Sequence, residues 1–188
     1  GIILRDSAKE DASYLPYSQL YQVFKAMEDV GRVQRGYFIE EIEGIQFAMP
    51  GLVEELRRPV DLNEPPTIFA LSTKDPAVLY GRALPWPKTG NPSVQPRRDV
   101  GSTVAIINGS PAFWLAPKRN RLVTFPSTLE GWDLHVQADA IRLLMKQHRG
   151  HERALLEQID GVSALSHPLC GALELAGFTI YPAGLMLR

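Results

Sequence analysis

Cysteine is nearly missing from this sequence: one residue, Cys170, in 188. An internal disulfide is therefore excluded, as is a zinc site built on several thiolates. Its neighbours Leu169, Gly171 and Ala172 read as the surroundings of a small buried side chain, so a structural thiol is expected rather than a nucleophile. Long apolar runs are lacking too. No stretch approaches the roughly 18 residues that a membrane-spanning helix needs, and the opening GIILRDSAKED has no cationic lead into an apolar segment. The expectation is a soluble, cytoplasmic chain with no membrane contact. Neither GxxxxGK[ST] nor GxGxxG occurs, so these residues are not expected to hydrolyse ATP themselves, and without a GxSxG elbow a hydrolase triad has no support. An excess of one charge is also absent. The 20 basic and 21 acidic residues give a net charge of -1, which decides nothing about a local basic surface.

What is present is enough for a core: 45% of the residues are apolar, at a length where chains divide into two or three subdomains. From Ser18 to Val30, Leu20, Val23, Phe24, Met27 and Val30 recur at three- and four-residue steps, which predicts a helix capped by Ser18 and stopped by Gly31. A shorter helix is expected around Ser7 to Ala12, with Pro16 breaking the pair. The run VQRGYFIEEIEGIQFAMP follows, where Ile45, Phe47 and Met49 alternate with Gln46 and Ala48 across a β-hairpin. Helix, helix and hairpin in that order is a winged helix without its first helix, hence a truncated unit over residues 1–60.

After a short helix at Gly51 to Arg58, DLNEPP marks a boundary. Residues 61–127 read as a small antiparallel β-barrel built from TIFALS, TVAII, AFWLA and LVTF, with Asn108-Gly109 as a tight hairpin turn. PKTGNPSVQPRRDVG is expected as an exposed loop inside it. Residues 128–188 read as a terminal α/β layer. It comprises a helix carrying Ala138, Ile141, Leu144 and Met145, a strand ALLEQI, a helix from Pro168 to Gly177, and closing strands from FTIY. The fold class is α+β.

The candidate contacts are basic and aromatic. Arg82 and Lys88 flank Trp86 in YGRALPWPK, Arg97 and Arg98 sit in the long loop, and Lys118, Arg119 and Arg121 occupy a turn. Such loops suit phosphates, and they equally suit ordinary solubilising charge. Trp86 between two prolines either stacks on a base or packs over the barrel end. On the first long helix Gln19, Gln22 and Lys25 face away from the apolar stripe, able to meet bases or phosphates, while Glu28 and Asp29 would repel them. His148, His151 and Glu152 are spaced loosely like metal ligands but have no second cluster, so no metal is expected.

The phrases RGYF, QFAMPG and YGRALPWP, with LVTFP and IDGVSALSHPLCGALELAGFTIYPAGLMLR, closely resemble the C-terminal region of bacterial large helicase-related, Lhr-type, ATP-dependent DNA helicases. The resemblance runs from about residue 20 onward. It implies a DNA-repair parent whose ATP and Mg2+ chemistry lies in an upstream helicase core, with no cofactor in these residues. It also implies an architecture similar to winged-helix DNA glycosylases. Those relatives hold an attacking water with a Gln-x-Gln or Gln-x-Asp pair, and here Gln137 with Asp139, and Gln158 with Asp160, fit the looser pattern. Three functions stay open: a DNA-binding accessory module for single-stranded or tailed DNA, a glycosylase domain excising damaged or uracil bases, and a cap that self-associates or docks on the parent's upstream domains.

Overall fold

In a computed structural model, residues 1–5, 15–40, 42–58, 64–147 and 154–187 are described. The helix expected at Ser7 to Ala12, and His148, His151 and Glu152, lie outside them. The chain forms two units, residues 1–64 with 82–84 and residues 65–81 with 85–188.

In the first unit, helix α1 spans Tyr17–Asp29. The expected cap is corrected: Ser18 is already helical, and Pro16 stands at the N-cap with φ -49°, its carbonyl accepting the N–H groups of Gln19 and Leu20. Proline presets that φ, so the chain enters the helix two residues earlier. The stop is as expected. Gly31 takes φ +72°, and Arg32 and Gly31 donate to Met27 and Glu28, closing the helix in a Schellman turn. Strands β2 (Gln34–Gly36) and β3 (Gln46–Ala48) pair antiparallel, and β1 (Ile2–Ile3) lies on the other side of β3. The expected alternation along β3 is not found. Gln46, Phe47 and Ala48 are all buried while Met49 is exposed, because Tyr21 and Phe24 of α1 cover Phe47 and the backbone at Phe38 and Ile39 covers Gln46. Gln46 is satisfied by the wing itself: Oε1 accepts the N–H of Phe38 and Ile39, both at 2.9 Å, and Nε2 donates to the Ile39 carbonyl at 3.0 Å. Helix α2 (Pro50–Leu56) follows.

The second unit is built on a six-stranded sheet in the order β4-β5-β6-β7-β9-β10. Its strands are β4 (Ile68–Ser72), β5 (Thr103–Ile107), β6 (Ser110–Leu115), β7 (Arg121–Thr124), β9 (Gln158–Ile159) and β10 (Val162–Ser163). Among the described residues no pairing closes its two edges. All neighbours are antiparallel except β7 and β9. Asn108 and Gly109, at φ +46° and +83°, make the tight turn that their types predict. A bulge between Ala105 and Ile106 falls opposite Pro111, which has no N–H for the ladder.

Helix α3 (Pro126–Leu129) leads to α4 (Leu134–Lys146), whose first turn is capped by the Asp133 carboxylate accepting the Val136 N–H at 2.9 Å. Ile141 and Leu144 of α4 share a fully buried core with Phe113 and Leu115 of the sheet and with Leu156, Leu173 and Leu185 beyond it. Residues on both sides of position 127 thus contribute to one interior. The single strand expected for ALLEQI is in fact two. Leu155–Leu156, strand β8, pairs with β12 (Gly184–Leu187) in a three-stranded sheet with β11 (Phe178–Tyr181), and β9 belongs to the larger sheet. Glu157 between them donates its N–H to the Asn120 backbone carbonyl at 2.8 Å and redirects the chain. The short helix α5 (Cys170–Leu175) begins two residues after Pro168, and Gly177 at φ +97° ends it as expected.

Candidate nucleic-acid interface

Trp86 is half-buried in the second unit. Its ring stacks on Phe125, centroids 5.7 Å apart and planes 2° apart, and on Tyr80 at 5.9 Å and 27°. It joins two small hydrophobic clusters, one around Trp114 and Phe125 and the other around Val78 and Val104. Burial pushes the Tyr80 hydroxyl above its ordinary range. Gly81 holds φ +72°, and a Cβ there would overlap the indole Nε1, so only glycine lets the backbone pass so close. Packing and partial exposure therefore coexist in this ring. Its remaining surface lines a cleft of about 430 Å3 with Pro87, Lys88, Thr89, Pro92 and Gln95.

The loop that forms the cleft is expected from sequence to be exposed throughout, and here the structure differs. Pro96 is buried and Val94 packs on the Trp114 cluster. The Gly90 N–H donates to the Thr124 carbonyl at 3.0 Å, and a Cβ on Gly90 would overlap the Asp160 carboxylate and come within 2.6 Å of Thr124 Oγ1. The Asn91 amide donates to the Asp160 carbonyl at 3.0 Å, and the Thr89 hydroxyl donates to the Asn91 carbonyl at 2.7 Å. Loop and sheet end are clasped together.

Asp160 is the centre of that clasp. It takes φ +51°, and its carboxylate accepts the Thr124 N–H at 2.9 Å and the Thr124 hydroxyl at 2.6 Å. His167 Nε2 lies 3.9 Å from Oδ2, and both side chains are largely buried. Burial lowers the His167 pKa below its ordinary value, while the Asp160 charge works in the opposite direction. The other water-activating candidates are differently placed. Gln137 donates to the Trp132 carbonyl at 2.8 Å, and Asp139 is exposed, 3.9 Å from Arg142. Residues two apart on a helix do not share a face, so Gln137 and Asp139 are not brought together on one side of α4. Gln158 is exposed on β9 while Asp160 turns inward.

The cations divide into two groups. Lys88, Arg97, Lys118 and Arg121 are exposed. Arg97 is anchored by its backbone, whose carbonyl accepts the Trp114 indole N–H at 3.1 Å. Arg121 lines a second cleft of about 250 Å3 with Gln95, Trp114 and Gln158, so Gln95 borders both clefts. In contrast, Arg98 turns inward and donates to the carbonyls of Val78 and of Tyr80, the latter at 3.3 Å. Arg119 holds φ +59°, and burial lowers its guanidinium pKa and leaves its Nε without a hydrogen-bond partner. Arg82 is half-buried and groups with the first unit. In that unit Gln22 and Lys25 are exposed on α1, and Gln22 lines a hollow with Arg5, Tyr17 and Tyr21. Among the described residues no group of three or more His, Cys, Asp or Glu side chains is arranged to hold a metal. Gln95, Thr89 and Pro92 are the cleft residues that sequence reasoning missed; the prolines and the Gly-Asn step were the available signal, since they limit the loop to few conformations.

Residues 1–67 match the family described as large helicase-related protein, winged-helix domain. Over 199 residues the chain is 34% identical to the "Lhr helicase/ probable uracil glycosylase" of Mycolicibacterium smegmatis, which takes in 100% of this chain and 13% of that protein. It is 28% identical over 189 residues to the "Lhr helicase/uracil glycosylase" of Escherichia coli, covering 98% of this chain and 12% of that protein. The chain belongs to the large helicase-related family, and corresponds to a small part of the length of these members.

Proposed function

We propose that this chain is a DNA-contacting accessory segment of an Lhr-type, ATP-dependent DNA-repair helicase in the cytoplasm. ATP and Mg2+ would serve the helicase core and not these residues. The observation that carries the reading is the second unit's rim, where Lys88 and Arg121 border two clefts that share Gln95, with Arg97 exposed on the loop joining them. Loops held on a barrel-like sheet present charge to phosphates at a small entropic cost, because the backbone is already ordered. The winged helix adds Gln22 and Lys25 on α1, and the DNA expected is single-stranded or tailed.

The test is fluorescence anisotropy with single-stranded, duplex and tailed DNA at several salt concentrations. Each phosphate contact removed reduces the slope of log affinity on log salt by roughly 0.7 for single strands and 0.9 for duplex. The triple change of Lys88, Arg97 and Arg121 to alanine is expected to lower the slope accordingly, and Arg98→Ala to change stability more than slope. Equal slopes for the triple variant and the unaltered chain would defeat the assignment.

A second reading, excision of uracil, is favoured by the names of both relatives. Under it Asp139 is the better carboxylate to activate a water, since it is exposed while Asp160 is engaged by Thr124. Base release from uracil-containing DNA that disappears in Asp139→Asn supports this reading, and release unchanged in both Asp139→Asn and Asp160→Asn removes it.

A further inference from the structure

Three features of the cleft beside Trp86 go beyond a general affinity for phosphates. Its volume, about 430 Å3, lies within the range of roughly 300–1,000 Å3 typical of small-molecule sites. Its walls combine flat apolar surface, from the Trp86 indole, Pro87 and Pro92, with one cation and one amide. Finally, the walls are fixed before any ligand arrives. The indole is stacked on Phe125 and Tyr80, the Thr89 hydroxyl is bonded within its own loop, and Gly90 and Asn91 are held by Thr124 and Asp160.

The side chains that retain free hydrogen-bonding capacity are those a nucleotide needs. Lys88 makes no ion pair among the described residues, and its ammonium matches a single phosphate. The Gln95 amide has only a 3.5 Å contact to the Pro92 carbonyl, which leaves its Oε1 and one N–H for the edge of a base. The part of the Trp86 ring left uncovered by Phe125 and Tyr80 gives a base an apolar aromatic wall to lie against.

Building on the DNA-contact reading of this same rim, we propose that the cleft receives one unpaired nucleotide, its base against Trp86 and Gln95 and its phosphate at Lys88. A base within a duplex is held in its stack and does not enter, so the cleft favours single strands, ends and extruded positions. With one amide to read a base edge, it discriminates weakly between bases.

The experiment is NMR titration of the full chain, following the Trp86 indole N–H, assigned by its loss in Trp86→Phe, and the Gln95 side-chain amide. The probes are deoxyadenosine monophosphate, deoxyribose 5-phosphate and inorganic phosphate. Saturable shifts of both signals with the nucleotide are expected, while inorganic phosphate leaves the indole unmoved. Gln95→Ala, at an exposed position, is expected to weaken nucleotide binding about fivefold, as loss of one net hydrogen bond would. Lys88→Ala is expected to reduce the preference for the nucleotide over its nucleoside. An indole signal that stays still at millimolar nucleotide overturns the proposal, and so does an equal response to inorganic phosphate, which would assign the site to an anion alone. Should DNA bind with its full salt dependence while the nucleotide does not, the cleft assignment fails and the DNA-contact reading stands. Should the nucleotide bind and DNA not, the reverse holds.

Discussion

The two units use their apolar residues differently. In the first, α1 is 13 residues long yet buries none of them fully, and Val23 and Val30 face solvent at 48% and 69% exposure. Among the described residues its buried apolar side chains are Leu4, Val33, Phe47, Ala48 and Val53, with Tyr21 and Phe24 laid against the Phe47 ring. In the second unit every residue of β5 is buried, because α4 covers one face and the Val78 cluster the other. The winged-helix match falls on the thinly packed part, whereas the rim with its two clefts rests on the densely packed one.

That contrast predicts a hierarchy of effects. Phe113→Ala, at a fully buried site in the larger core, is expected to cost about 3–5 kcal/mol, read from urea denaturation followed at β5 and β6. Phe24→Ala, at a half-buried site, should cost about 1 kcal/mol and reduce hydrogen-exchange protection in α1 alone; an equal loss in β5 would contradict the separation of the units. Between these lies Gly90→Ala. Its Cβ meets a carboxylate that Thr124 holds in place, so the expected loss is about 1–3 kcal/mol, together with weaker nucleotide binding.

A smaller effect comes from His167. Burial holds its folded-state pKa below the ordinary 6.5, so the unfolded chain takes up the proton more readily. The stabilisation is complete above the ordinary value and is lost as pH falls below about 6.5. The Leu169 N–H bond to His167 Nδ1, at 3.3 Å, requires that nitrogen to be unprotonated and points the same way. Melting temperatures measured downward from neutral pH are expected to fall, less steeply in His167→Gln. Least of all is Arg142→Ala, which removes an exposed pair at 3.9 Å with Asp139 and should change stability by less than about 0.5 kcal/mol.

Elements fixed by local chemistry were legible in the sequence. The Asn108-Gly109 turn, the stop at Gly31 and the stripe on α4 each follow from residues within one or two turns of one another. Elements fixed by distant partners were not. Arg98 carries no local sign that its acceptors are the carbonyls of Val78 and Tyr80, and a glutamine at position 46 reads as a surface residue until the wing folds over it. For the same reason Trp86 and Lys88 were legible as site candidates, while Gln95 was not. Its place at both clefts depends on the clasp of Asn91 by Asp160, residues 69 positions apart.

The break at Glu157 has a mechanical consequence. Leu156 belongs to the smaller sheet and Gln158 to the larger, with one residue between them, so tension on the strand Gly184–Leu187 is passed within that single residue to the parallel pairing of Gln158 and Ile159 with Arg121 and Leu122. Glu157 is thus a one-residue covalent step from the smaller sheet to the edge of the second cleft, which Arg121 and Gln158 line, and the core shared by Leu156, Ile159 and Leu185 couples the two sheets beside it.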